Sequence, residues 1–248
     1  RGADVNARNK RGESPLHTAV MEDQIKPRHI WNQSRVQKVE PEPNPDRIAV
    51  VEYLLEKGAV LEGKTKYGTT ALHVAAAAGQ DYLVTLLLDK GADIEARDGN
   101  ERTPLFSAFE KDQSRAVKVL LERNASIHAK DNIGQIPLHV AAQAMHPDLV
   151  DILLNKGADP NAIDQNQWTP LHSAAEKGCL GIGELLLAHG ANPTAADISQ
   201  RTPLHIAAQR GDVQLVKLLV ANGADINAKD RNGRSPIHAA AWDGHWGP

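Results

Sequence analysis

A four-residue phrase recurs along this chain and sets the frame for everything else. It stands as Ser14-Pro15-Leu16-His17, Thr70-Ala71-Leu72-His73, Thr103-Pro104-Leu105-Phe106 and Ile136-Pro137-Leu138-His139, then as Thr169-Pro170-Leu171-His172, Thr202-Pro203-Leu204-His205 and Ser235-Pro236-Ile237-His238. From Thr70 onward each recurrence falls 33 residues after the last, while the first interval is 23 residues longer. A second marker keeps the same phase: Gly2-Ala3, Gly58-Ala59, Gly91-Ala92, Asn124-Ala125, Gly157-Ala158, Gly190-Ala191 and Gly223-Ala224. A period of this length signals stacked supersecondary units, not one closed core.

Each period reads as two helices and a turn. Thr or Ser is a favoured N-cap, and Pro is tolerated in the position after it. A short Ala-rich helix follows, as in "LHVAAAAG", and Gly79, Gly178, Gly211 and Gly244 end it at one offset, as left-handed C-caps do. A second helix carries an aliphatic stripe such as "LVTLLL" or "LVDILL", closed by Gly-Ala. The remainder, such as "DINAKDRNGRS", has the Asp, Asn and Gly chemistry of a hairpin turn. One such unit cannot bury its own apolar face, but stacked neighbours can. Each fully buried Leu or Ile contributes roughly 1.5–3 kcal/mol.

This pattern resembles the ankyrin repeat, and Thr202–Ala228, "TPLHIAAQRGDVQLVKLLVANGADINA", matches its T-P-L-H, Leu-rich and G-A-D-x-N signature almost throughout. The resemblance covers everything but one inserted segment. It implies a mainly α fold, an ankyrin-repeat solenoid of stacked helix-turn-helix units joined by β-hairpin loops. The phase divides the chain into a partial repeat (1–13), repeat 1 (14–69) with an insertion at 24–46, and repeats 2 (70–102), 3 (103–135), 4 (136–168), 5 (169–201) and 6 (202–234). A truncated repeat 7 (235–248) ends it. Six histidines share one register: His17, His73, His139, His172, His205 and His238. The resemblance gives them a hydrogen-bonding role within and between repeats. Helices stacked 8–10 Å apart cannot bring two such residues to the ~2 Å that a shared zinc requires.

Composition excludes several classes. Charged residues make up 24% and the net charge is −3, so no global basic field argues for nucleic acid. A single cysteine, Cys179, rules out an internal disulfide framework. No apolar run is long enough for a membrane span. No phosphate loop, HExxH, CxxC or GxSxG occurs. The expectation is a non-enzymatic, intracellular (cytoplasmic or nuclear) module with no cofactor or metal, monomeric as a complete array. The rival expectation is the targeting or regulatory arm of a larger enzyme or signalling receptor. Both ends break off within a repeat, which reads as a fragment of a longer array, with Trp242 and Trp246 partly exposed.

Departures from the pattern are informative. The insertion 24–46 carries alternating Pro41, Pro43 and Pro45, which favours an extended arm. It reads either as a tolerated surface loop or as a recognition segment centred on Trp31. Asp112 and Met145 stand where Gly is usual, Asn124 takes the Gly-Ala phase, and Ile136 replaces the cap. These changes read as drift, or as a softer hinge between flanking halves.

The resemblance implies that partners bind a concave surface of hairpin tips and first helices. Phase assigns to that surface Tyr67, Asn100, Ile133 and Ile198 from the hairpins. It adds Arg102, Trp168, Arg201 and Arg234 just before the caps, and Gln143, Glu176 and Gln209 on the first helices. A cluster of Ile133, Trp168 and Ile198, flanked by Arg102 and Arg201, has the composition of a binding hot spot. The competing reading is scattered surface apolars. A basic stripe of Arg8, Lys64, Arg97, Lys130 and Lys229 suits an acidic peptide. In the family, asparagines in the phase of Asn6 and Asn227 are hydroxylation targets.

Overall fold

The computed structural model describes residues 3–21, 44–111 and 113–242. Among them lie thirteen α-helices and no strand. The chain divides into two compact units, Arg1–Ala125 and Ser126–Pro248. The division crosses repeat 3, the repeat in which Phe106 stands in the histidine register.

The first unit holds three helix pairs: α1 (Pro15–Ala19) with α2 (Pro45–Glu56), α3 (Ala71–Ala77) with α4 (Asp81–Asp89), and α5 (Pro104–Glu110) with α6 (Ser114–Glu122). First helices stack on first helices, α1 on α3 and α3 on α5, and α4 stacks on α6. Leu72, Ala75, Ala76, Leu83, Leu87, Leu105 and Leu120 are buried between them, with Phe106 and Phe109 the largest core side chains. Alanine on the first helices lets them approach closely, while the leucines of the second helices fill the space behind.

The second unit repeats the plan with α7 (Pro137–Gln143) and α8 (Pro147–Asn155), α9 (Pro170–Lys177) and α10 (Leu180–Ala188), α11 (Pro203–Gln209) and α12 (Val213–Ala221), then α13 (Pro236–Trp242). The row α7, α9, α11, α13 is continuous, and α8, α10 and α12 run behind it. Helices α10 and α12 meet at Gly183, where a Cβ would lie 2.9 Å from Leu215 Cδ1.

Helix ends follow the sequence reading, with exceptions that have causes. Gly79, Gly178 and Gly211 adopt left-handed φ of 67°, 69° and 70°. Asn124 and Met145 take the same conformation at φ 63° and 60°, so the backbone keeps its path where the glycine is missing. Ile136 keeps the extended cap conformation without a hydroxyl, at φ −97° and ψ 165°. Helix α2 starts at Pro45, inside the segment read as an arm, because Asn44 accepts the backbone N–H groups of Asp46 and Arg47. Pro45 is therefore a helix-starting proline, not part of an extended run. Trp31, Gly244, Trp246, Asp112 and residues 24–43 lie outside the described residues, as does the side chain of Trp242.

Candidate functional site

The face made by hairpins and first helices is built on two side-chain ladders. The first is the histidine register. Backbone N–H groups can only donate, so the rings accept at Nδ1: Thr70 N–H at 3.2 Å from His73, Ile136 at 3.3 Å from His139, Thr169 at 3.1 Å from His172 and Thr202 at 3.1 Å from His205. The neutral ring then carries its proton on Nε2. That nitrogen donates to the next hairpin: His17 to Thr69 O at 3.1 Å and His73 to Arg102 O at 3.0 Å in the first unit. In the second unit His139 donates to Trp168 O at 2.9 Å, His172 to Arg201 O at 3.2 Å and His205 to Arg234 O at 3.1 Å. The cap hydroxyls sit against the same Nδ1, at 2.9 Å for Thr169. Burial disfavours the imidazolium and lowers His17, His73 and His139 below their ordinary value. His172 falls to about 4 for the same reason, opposed by its bond to the Arg201 carbonyl. Burial thus disfavours the charged ring at His17, His73, His139 and His172, and these four with His205 are frame members, each tying a helix start to the neighbouring hairpin.

The second ladder is a set of turn-closing side chains that the sequence reading saw only as turn chemistry. Asp98 Oδ1 accepts the N–H groups of Asn100 and Arg102, and Asp131, Asp164, Asp197 and Asp230 repeat the arrangement at the same two offsets. Asn9 and Thr65 do the same in the first two hairpins. The signal was available: from Thr65 these residues hold the 33-residue register. Each hairpin is thus closed by a side chain, which fixes the direction of the residue before the cap. Hairpins also bond to one another, Gly99 N–H to Tyr67 O at 2.8 Å in the first unit, and Gln165 to Ile133, Ile198 to Asn166 and Arg231 to Ser199 in the second.

These ladders place the expected site residues. In the first unit Tyr67 and Asn100 are exposed at hairpin tips, and Lys66 Nζ lies 4.8 Å from the Tyr67 ring centre. Arg102 is half-buried and paired with Glu110. Met21, Thr69, His73, Val74, Ala77, Ala78 and Ser107 line an open apolar depression of about 300 Å³. In the second unit Glu176 and Gln209 are exposed on α9 and α11, and Gln143 is half-buried at the end of α7. Ile133 and Ile198 are 39% and 41% exposed. The Gln165 N–H bonds to Ile133 O and the Asn166 carbonyl accepts Ile198 N–H, so the Asp164–Trp168 hairpin stands between the hairpins that carry the two isoleucines.

Trp168 is the most constrained of the set. Its N–H donates to Asp164 Oδ1 at 2.9 Å, and its carbonyl accepts His139 Nε2 at 2.9 Å. Its ring stacks on His172 with centroids 5.7 Å apart, and Nε1 donates to Asp197 Oδ2 at 3.2 Å. The same carboxylate oxygen accepts Arg201 Nε at 3.1 Å and Nη2 at 3.0 Å. Burial pushes the Asp197 carboxyl up, but the Arg201 backbone N–H, side chain and charge outweigh it and leave the group below its ordinary range. The sequence could not pair Trp168 with Asp197, because they stand 29 residues apart and meet only across a repeat boundary.

Other sequence candidates are occupied by the frame. Arg8 donates to the Gly12 and Lys64 carbonyls, Lys64 to Arg97 O at 2.8 Å, and Arg97 to Glu101 O, so the basic stripe of the first unit braces backbone. Asn6 Nδ2 donates to Gly58 O at 3.0 Å while its Oδ1 accepts Val60 N–H at 2.8 Å, a clamp between successive repeats. Cys179 is half-buried at the start of α10. Among the described residues no group of three or more His, Cys, Asp or Glu could hold a metal, and no helix is long and apolar enough to cross a membrane.

Paired helices repeated at one period, with side-chain-closed hairpins, define a helical repeat solenoid of the interaction-scaffold class. A family model described as "Ankyrin repeats (3 copies)" matches residues 44–131, 125–197 and 194–246, and the chain belongs to the ankyrin-repeat family. It is similar to the crystal structure of the ankyrin repeat domain of Bcl-3, described as a unique member of the IkappaB protein family. That likeness has 29% identity and a TM-score of 0.71 and covers 92% of this chain and 94% of that one. No curated protein matches in sequence. In general terms, then, the chain is a protein–protein interaction module. Because 598 solved chains match, the fold by itself selects no partner.

Proposed function

We propose that this chain binds a protein or peptide through the hairpin and first-helix face of its second unit, with Trp168 as the anchor. The observation that carries the reading is the locking of Trp168. An indole held by its own N–H, its backbone and a stacked ring loses little freedom on binding, and preorganised Trp and Arg dominate binding energy at interfaces. Arg201 beside it is fixed by Asp197. Ile133 and Ile198 supply apolar surface on either side. Glu176, Gln209 and Gln143 line the first-helix side and Arg234 continues the row, which gives the polar rim expected around such an anchor. Tyr67, Asn100 and Arg102 hold the corresponding positions in the first unit.

A crosslinking pull-down from cell extract tests this. The chain is compared with a Trp168→Ala, Ile133→Ala double variant and with a variant lacking residues 24–43, which keeps the Asn44 cap and the Pro45 start of α2. Loss of the bound protein in the double variant alone is the expected result. Loss only on deletion places recognition in the inserted segment and overturns the proposal.

A further inference from the structure

We propose that Asn232–Gly233, at the tip of the hairpin before α13, is a self-modifying step that deamidates in the folded chain. The reaction needs only water and solvent base. The Gly233 backbone nitrogen, its proton taken by hydroxide, attacks Asn232 Cγ. The bond from Cγ to the side-chain nitrogen breaks, ammonia leaves, and a five-membered succinimide closes. Water then opens the ring at one carbonyl to give aspartate or at the other to give isoaspartate. Nothing is oxidised or reduced. Glycine after the asparagine favours closure, because it has no Cβ to obstruct the attack.

Two Asn-Gly pairs occur in the chain, Asn222–Gly223 and Asn232–Gly233. Both are exposed, so exposure does not separate them. Hydrogen bonding does. Asn222 Nδ2 donates to Leu218 O at 2.8 Å, and its backbone N–H is shared by the Leu218 and Leu219 carbonyls at 3.1 Å. Gly223 and Ala224 N–H close the end of α12 on the Val220 and Leu219 carbonyls, both at 3.0 Å. Attack at Asn222 therefore requires the last turn of α12 to unwind. Asn232 is held by less: its N–H donates to Asp230 Oδ1 at 2.8 Å and Gly233 N–H to Asp230 O at 2.9 Å. Its side-chain amide has no partner among the described residues.

The hairpin row adds a second difference. In the register of Asn232, the carbonyls of Arg11, Tyr67, Ile133, Asn166 and Ser199 each accept an N–H from the next hairpin. The Asn232 carbonyl accepts none among the described residues. A Cβ on Gly12, Gly68 or Gly134 would lie 2.7, 2.6 or 3.3 Å from the backbone of the next hairpin, whereas none of the described atoms would lie within 4 Å of one on Gly233. The Gly233 turn thus opens without disturbing a neighbour, and exposed bonds of this kind open first. Asn166 shares the register, but Ile198 N–H pins it and Gln167, not glycine, follows it.

The product changes the charge and the length of the hairpin. Either form adds a carboxylate between Arg231 and Arg234. Isoaspartate also inserts a methylene into the backbone, inside the loop that Asp230 Oδ1 closes on Arg234 N–H at 2.8 Å. The Arg234 carbonyl accepts His205 Nε2 at 3.1 Å, so the change reaches the histidine ladder. Its effect on a partner rests on the reading of the hairpin row as the binding face, whereas the modification itself does not.

Peptide mapping by mass spectrometry of the intact chain, incubated in mildly alkaline buffer, tests the inference. Each conversion raises the mass by about 1 Da. In the folded chain Asn232 is expected to convert about tenfold faster than Asn222, since each further bond that must open slows the step severalfold. In urea the two rates should converge. Gly233→Gln is expected to slow conversion at Asn232 by about tenfold or more. That variant should stay folded, because Gln167 and Gln200 hold the same position at φ 60°, and circular dichroism checks it. Equal rates at the two asparagines of the folded chain, or a faster rate at Asn222, overturns the inference. So does indifference to Gly233→Gln, or an unmodified Asn232 after a time in which the urea-unfolded chain has converted. Conversion at Asn232 with unchanged capture of the partner leaves the modification standing and overturns its effect on the face.

Discussion

Acidification should weaken this fold through its buried imidazoles, and His172 allows the size to be worked out. In the unfolded chain His172 titrates at its ordinary value of 6.5, and in the folded chain it titrates at about 4. Above pH 6.5 both states hold it neutral and the full stability is present. Below pH 6.5 the unfolded state takes up the proton and the folded state does not. Stability is therefore lost as pH falls and levels off below pH 4. The gap of about 2.5 units corresponds to a total loss of about 3 kcal/mol, with about 2 kcal/mol gone by pH 5. His17, His73 and His139 shift in the same direction and add to the loss. Denaturant unfolding of the intact chain at a series of pH values measures it, beside His172→Gln. The variant should be less stable at pH 7.5, by about 1–3 kcal/mol for the broken bonds, and its dependence on pH should be shallower by the His172 share. Equal pH dependence in the two proteins would refute the assignment of His172 as a buried neutral donor.

Other perturbations test the frame. Met145 holds a left-handed conformation at φ 60°, so Met145→Gly should raise stability by about 1 kcal/mol, read as a higher denaturant midpoint. Gly68 has φ +77° and a Cβ there would lie 2.6 Å from Gly99 N; Gly68→Ala should lower the melting temperature, with a cost of about 2 kcal/mol or more. Asp197→Ala removes the acceptor shared by Trp168 and Arg201 together with the turn closure. A loss of about 2–4 kcal/mol by denaturant unfolding is expected, and a change below 0.5 kcal/mol would mean that the carboxylate does not hold the hairpin.

The fold was legible because the period is long and unbroken from Thr70 onward, and because stacking follows from apolar faces that one repeat cannot cover. The role of His172 was legible for the same reason: a residue repeated once per unit belongs to the frame. Less legible was everything that depends on the contact between units of the repeat. Trp168 reads in sequence as an exposed aromatic, yet its indole reaches the carboxylate of the next hairpin. Arg8, Lys64 and Arg97 read as a ligand-facing stripe, yet they reach backbone carbonyls, two of them in the following repeat. For Trp168, Arg8 and Lys64 the partner lies in the next repeat, a separation that composition and local pattern do not encode.

The central claim is that the partner lies on the hairpin and first-helix face of the second unit. A photoreactive amino acid placed at Ile198 and, separately, at Val220 on α12 tests it most directly, since both positions are about equally exposed, at 41%. After irradiation in cells, mass spectrometry identifies what each position captures. Capture of one protein from Ile198 and not from Val220, abolished by Trp168→Ala, is the predicted result. Capture from Val220 alone would contradict the account and move recognition to the second-helix side.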